Sequence, residues 1–252
     1  MDINEVTSKK INRHPWELSR TDCVLTEIMP YIKACGEKCE FVNIGAGDMF
    51  FDKHILKNLR GHYLHAIDIG YSGEKYKYVK SNSSRIRMYE RIEDAKVDQF
   101  DYALMMDSLE YMEDDYKYVK MLTQRVKDGG YLFFTLPAFQ FMSSEHDIIV
   151  GNLRRYDKKS FSQLVGSIDG LEIVKMHYFY TSLLIVRITQ KLFRIEIDPQ
   201  HKVTTGWIFG RNSLITSVVK GILDIDYKIN MFLNGLGLGI PGLSLLVICK
   251  RV

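Results

Sequence analysis

Two glycines and one carboxylate are the residues best placed, by type and spacing, to do chemistry in this chain. Gly45-Ala46-Gly47 follows a short apolar run from Phe41 to Ile44, and Asp68 closes a second run that opens at Tyr63. Glycine lets the backbone turn tightly and approach a ligand with no Cβ in the way. A carboxylate about 20 residues past such a turn suits the paired hydroxyls of a ribose. A tight turn and a turn-capping aspartate explain either feature alone, but spacing and strand context together point to a nucleoside ligand. The dinucleotide fingerprint asks for a third glycine three residues on. Phe50 stands there, which disfavours an NAD-dependent reductase. No triphosphate-loop lysine follows the turn. A nucleoside without a pyrophosphate remains, and S-adenosylmethionine fits that description.

Strands and helices must hold this turn and carboxylate side by side. Glu40 to Ile44 reads as a buried strand, and Phe51 to Leu59 as a helix closed by Gly61. Tyr63 to Ile69 reads as a second strand, Arg85 to Tyr89 as a weak third and Phe100 to Met105 as a fourth. A helix from Asp114 to Val126, stopped by Gly129-Gly130, leads to a fifth strand from Tyr131 to Leu136, ended by Pro137. Asp157 to Val165 reads as a helix; Leu171 to Tyr178 and Leu243 to Cys249 read as the closing strands. Alternating strands and helices predict parallel pairing with helices on both faces. The fold expected is α/β: a Rossmann-like, doubly wound sheet of about seven mostly parallel strands with an antiparallel last strand. N-terminal helices precede it, and a helical insertion precedes the last strand. The expected divisions are an N-terminal helical cap over 1–39, a cofactor-binding core over 40–178, a helical insertion over 179–242 and the last core strand over 243–252. Within the cap, Asp22 is a candidate start for a second helix.

Composition excludes several classes. The chain has 252 residues, 46% hydrophobic and 26% charged, with a net charge of +3. That balance makes no case for nucleic acid, whose partners usually show a strongly basic face. Cys23, Cys35, Cys39 and Cys249 match no zinc spacing and read as reduced thiols of a cytoplasmic protein. The opening Met1 to Glu5 lacks the basic-then-apolar order of a secretory signal. No apolar stretch reaches the ~18 residues of a membrane span. Tyr178 to Phe193, with Arg187, Lys191 and Arg194, reads first as a helix closing an acceptor pocket. Peripheral contact with a membrane is the second, less favoured reading.

Over most of its length the chain resembles the class I S-adenosylmethionine-dependent methyltransferases. Phe41-Val42-Asn43-Ile44-Gly45-Ala46-Gly47-Asp48 resembles their first motif, and His65-Ala66-Ile67-Asp68-Ile69 their second. Phe100 to Tyr111 is similar to the fourth-strand motif that usually ends in Leu-Glu-His, and Lys127 to Leu132 to the turn into the fifth strand. His146-Asp147, then Gly151-Asn152-Leu153-Arg154-Arg155-Tyr156, resembles the His-Asp…Gly-His-x-Arg-Arg-Tyr signature of one bacterial branch. Trp16-x-x-x-Arg20 and Gly242 to Val247 fit the same branch. Departures are Asn43 for an acidic residue, Met49 for a glycine, and Tyr111 and Asn152 for histidines.

The resemblance implies S-adenosylmethionine as cofactor and a small-molecule or glycan acceptor. It implies that Gly45, Ala46 and Gly47 pass beneath the methionine and ribose parts, with Asn43 steadying that turn. Asp68 would bind the ribose hydroxyls, with Ile69 beside it. Met106 and Asp107 would face cofactor and acceptor, and Arg20 would pair with the cofactor carboxylate. Ile92, Glu93 and Asp94 are candidates for the adenine contact. His146 is a candidate base by its ordinary pKa, with Asp107 as a second catalytic candidate; a structural His146–Asp147 hydrogen bond is the alternative. His146, Arg154 and Arg155 are candidate acceptor-binding residues, Arg154 and Arg155 for an anionic group, with a structural salt bridge as the alternative. No metal is expected, since Asp107-Ser108 lacks the acidic-amide pair of metal-using relatives. A chain that binds the cofactor without catalysis is the competing reading.

Overall fold

The computed structural model describes residues 13–33, 38–59, 61–72, 83–193, 209 and 213–252. Seven strands form one sheet in the order β3-β2-β1-β4-β5-β7-β6. They are β1 (Glu40–Ile44), β2 (Tyr63–Ile67), β3 (Ile86–Tyr89), β4 (Phe100–Met106), β5 (Val126–Pro137), β6 (Leu171–Phe179) and β7 (Ser244–Arg251). β1 pairs in parallel with β2 and with β4, and β4 in parallel with β5. β7 lies antiparallel between β5 and β6, so the last strand alone reverses direction. The helices are α1 (Pro15–Lys33), α2 (Phe50–Asn58), α3 (Asp115–Arg125), α4 (Glu145–Val150), α5 (Lys158–Gly166), α6 (Thr181–Leu192) and α7 (Leu214–Gly235).

The continuous apolar runs of the strands follow from burial on both faces. Successive side chains alternate between two cores. Phe41, Leu104, Phe133 and Ile248 point into one, beneath residues of α1, α2 and α7. Val42, Ala103, Phe134 and Val247 point into the other, beneath α3 and α5. The chain order reverses between β1 and β4, and ligands of open α/β sheets bind at such a switch point, beyond the strands' carboxyl ends.

Several local expectations are corrected. α1 runs unbroken through Asp22 rather than starting a second helix there. β5 begins at Val126, ahead of Gly129-Gly130, which sits within an irregular register opposite β4. A Cβ on Gly130 would stand 2.6 Å from the Asp101 carbonyl oxygen, so the glycine admits the close strand approach there. α4 lies in a stretch with no strong helical period. Cys39 is disulfide-bonded, against the expectation of reduced thiols, while Cys23 and Cys249 are free and buried. Among the described residues no helix is long and apolar enough to cross a membrane.

Candidate active site

The glycine turn is held by main-chain bonds. The amides of Gly45 and Ala46 donate to the Ile67 carbonyl oxygen at 2.9 and 3.1 Å, which ties the end of β1 to the end of β2. Gly45 has φ +72°, and a Cβ there would lie 2.4 Å from the Ser108 Cβ. Both conformation and space therefore demand glycine. Ser108, just past β4, donates its hydroxyl to the Ile44 carbonyl oxygen at 2.7 Å and fixes the third strand end of the cradle.

Asp68 is joined to that turn. One carboxylate oxygen accepts from the Gly47 amide at 2.8 Å, the other from the Gly70 amide at 2.9 Å. The Tyr71 hydroxyl donates to the Gly47 carbonyl oxygen at 2.8 Å. A carboxylate offers about four lone-pair sites, so it can serve several donors at once. Ile69, next in sequence, is 84% exposed, a bare apolar surface beside the carboxylate. Of the three candidates for an adenine contact, Ile92 is buried in the core, while Glu93 and Asp94 sit on an exposed 3-10 turn.

Asn43 lies beneath the turn, not in the open cleft. It is buried, and its amide donates to an Asp52 carboxylate oxygen at 2.6 Å. Asp52, on α2, is itself fully buried, and burial pushes its carboxyl up to about 7 against the pull of that hydrogen bond. An amide on β1 and a carboxyl on α2 thus form a buried pair beneath the turn. Sequence reading missed Asp52, although its place one turn into α2 after an amide-for-acid exchange is a usable signal.

Arg20 on α1 pairs with Asp107 at the end of β4, and its guanidinium stacks over the Trp16 ring at 4.5 Å. Asp107 takes φ +50°, a left-handed conformation that turns the chain sharply beyond the strand. Met106 is nearly buried, and its sulfur accepts from the Thr135 hydroxyl at 3.8 Å. Arg20, Met106 and Asp107 therefore meet at the mouth of the glycine turn.

Beyond β5 the sequence candidates form a second cluster. Asp147 is buried and accepts from the Ser144 amide and hydroxyl at 2.8 and 2.9 Å, from Asn152 at 3.0 Å, and from two nitrogens of Arg155 at 3.0 and 2.7 Å. Burial works to raise the Asp147 pKa, but Asn152 and Arg155 outweigh it and hold the group below the usual carboxylate range. Arg155 also donates to the Ala138 carbonyl oxygen at 3.3 Å. Arg154 points elsewhere, to Asp115 at 3.1 Å and the Glu113 carbonyl oxygen at 2.8 Å. His146 belongs to α4 by its backbone; its side chain lies outside the described residues.

Glu110 falls between the two clusters, and sequence reading did not single it out. Its side chain is buried, one carboxyl oxygen has no hydrogen-bond partner among the described residues, and Arg20, Arg155 and Asp147 are its charged neighbours. Burial pushes its carboxyl up to about 8, against the pull of Arg20 and Arg155. Among the described residues, no three His, Cys, Asp or Glu side chains gather as a metal site.

No family model and no curated protein matches the chain. Solved structures do. A protein described as a sarcosine dimethylglycine methyltransferase, from Galdieria sulphuraria, superposes with a TM-score of 0.56 at 11% identity, over 93% of this chain and 85% of that one. Coclaurine N-methyltransferase, solved with N-methylheliamine and SAH, gives 0.54 at 14% identity, over 93% and 72%. The cyclase SpnF gives 0.52 at 12% identity, over 92% and 80%. The chain has the Rossmann-like fold of the methyltransferase structures.

Proposed function

We propose that this protein is an S-adenosylmethionine-dependent methyltransferase acting on an oxygen or nitrogen of a small-molecule or glycan acceptor. The observation that carries the reading is the Gly45–Gly47 turn at the switch point, pinned by Asp68 and flanked by the exposed Ile69. The residues fit the cofactor. Asp68, at the open end of the turn, would meet the ribose hydroxyls, Ile69 offers an apolar face to adenine, and Gly45 and Ala46 leave backbone with little bulk beneath the methionine part. Arg20 carries five N–H donors and can hold a carboxylate while still touching Asp107.

When bound, the cofactor supplies a methyl group already activated on sulfur. The chain then has to align an acceptor, exclude water and take up a proton. Met106 and Asp107 stand where that acceptor meets the cradle. Asp107 and His146 are the residues proposed to take the acceptor's proton. Arg154 and Arg155, committed to Asp115 and Asp147, shape the acceptor wall; an anionic acceptor group would compete with those carboxylates.

One observation favours a second reading. A cyclase shares the fold, and fold does not fix reaction; with Asn43, Tyr111 and Asn152 in place of the family's usual residues, the chain would then bind the cofactor without transferring its methyl group. Incubation with methyl-labelled cofactor and a panel of amines, hydroxylated small molecules and glycans separates the two. Label in an acceptor, with equal release of S-adenosylhomocysteine, is the expected result. Tight cofactor binding without turnover on any acceptor favours the second reading, and no cofactor binding removes both.

A further inference from the structure

The acceptor side of the molecule holds a cation that no described residue has taken up. β7 is antiparallel to both β5 and β6, so β6 runs the same way as β5. The end of β6 at Phe179 therefore opens on the same edge of the sheet as the glycine turn. Helix α6 starts there. Tyr180, its N-cap, donates its hydroxyl to the Ser19 hydroxyl oxygen at 2.9 Å, one residue from Arg20. Residues three and four apart share a helix face. Arg187 thus lies on the side of Leu183 and Leu184, which pack into the fold. The same side carries Lys191, whose ammonium donates to the Phe141 carbonyl oxygen beyond β5. Ile185, Val186 and Leu192 mark the exposed side. Helix α6 accordingly covers the loop after β5, and Arg187 sits half-buried on its inward face.

The charged neighbours of Arg187 are Arg155 and Asp147, and neither serves it. Arg155 carries the same charge. Asp147 already accepts from five donors of Ser144, Asn152 and Arg155, against the roughly four lone-pair sites of a carboxylate. Arg187 makes no hydrogen bond or ion pair among the described residues. Burial and Arg155 together pull its pKa below the ordinary arginine value, and Asp147 offsets them only in part. A guanidinium withdrawn from water with no partner is costly. Arg154 and Arg155, the anion-binding candidates of the sequence, are both committed to carboxylates; Arg187 is not. Apolar surface stands one helical turn away. Phe141, bonded through its carbonyl to Lys191, is 61% exposed, with its ring centroid 5.4 Å from that of Phe139.

Resting on the methyltransferase reading, we propose that Arg187 binds an anionic oxygen group of the acceptor, a carboxylate or phosphate on an apolar body that lies against Phe141. The planar fork of a guanidinium meets such a group with two parallel N–H donors. Titration calorimetry tests this with benzoate, phenyl phosphate and the neutral benzamide as probes. Each is added to the protein saturated with S-adenosylhomocysteine and to the protein alone. At least one of the acids should bind about tenfold or more tighter than the amide, as a charge-assisted hydrogen-bonded pair does, and the tighter acid names the group. Arg187→Gln should abolish that preference and leave S-adenosylhomocysteine affinity as it was. Arg187→Lys, which keeps the charge without the fork, should fall between. Equal or absent binding of acids and amide by the wild type overturns the proposal, and so does a preference that survives in Arg187→Gln. Either result beside firm S-adenosylhomocysteine binding leaves the methyltransferase reading standing. A wild type that does not bind S-adenosylhomocysteine removes that reading instead, and the contrast measured on the protein alone still decides whether Arg187 is an anion site.

Discussion

At the ends of β1 and β2 the chain is held largely by main-chain amides, whereas beyond β5 it is held by side-chain charges. In the first region the amides of Gly45, Ala46, Gly47 and Gly70 converge on the Ile67 carbonyl and the Asp68 carboxylate. In the second, Asp147 gathers Ser144, Asn152 and Arg155, and Arg154 binds back to Asp115. A charge clamp positions a longer excursion, can vary in sequence without moving the sheet, and depends on every partner. Under the proposed function, the cradle would hold the cofactor and the clamp would stand on the acceptor side.

If the clamp and the cradle are separate, each should break alone. Asp147→Ala leaves Arg155 buried without its carboxylate and should destabilise the fold by about 3–5 kcal/mol, read from urea unfolding, while cofactor affinity in the surviving native state changes little. Loss of cofactor binding in that variant would join the two regions into one unit. Gly45→Ala should act on the opposite side. Its Cβ meets Ser108 at 2.4 Å in a left-handed conformation, a combined cost of about 2–4 kcal/mol. Adding Ser108→Gly should recover part of that stability but not the conformational part, and full recovery would show that space alone requires the glycine.

Glu110 bridges the two regions and supplies a pH signature. Its carboxyl titrates at about 8 in the fold against 4.5 ordinarily. Between those values the native state binds the extra proton, so stability is highest below pH 4.5 as far as this group is concerned and falls as pH rises toward 8. Glu110→Gln keeps the shape without the titration. It should flatten the stability profile between about pH 5 and 8, by up to about 1.4 kcal/mol per pH unit where the wild type falls most steeply. An unchanged profile would mean that Glu110 is not held protonated.

The cradle was legible in the sequence because it rests on local rules. A glycine turn after a buried strand and an acid at the end of the next one leave a fixed spacing, and the continuous apolar runs of β1, β4 and β5 announce strands buried on both faces. The same alternation predicts the parallel pairing of β1, β2, β4 and β5, whereas the order of the strands rests on long-range pairing that no local pattern reports. What escaped the sequence depends on distant partners. Asp52 meets Asn43 through a contact between a helix and a strand, and Ser108 fills the space that Gly45 leaves. The short α4 has no apolar period, being capped by Ser144 and Asp147 rather than driven by burial. The inward place of Arg187 on α6 escapes as well, because helical spacing does not say which face the fold will bury.

The cradle is proposed to hold adenosine through Asp68, and calorimetry with S-adenosylmethionine, S-adenosylhomocysteine and NAD tests this most directly. Both sulfur nucleosides should bind the wild type and NAD should not, and Asp68→Ala should weaken their binding by about 1–3 kcal/mol, the effect of stranding polar partners. Binding of NAD in preference to either, or an Asp68→Ala variant with undiminished affinity, would contradict it.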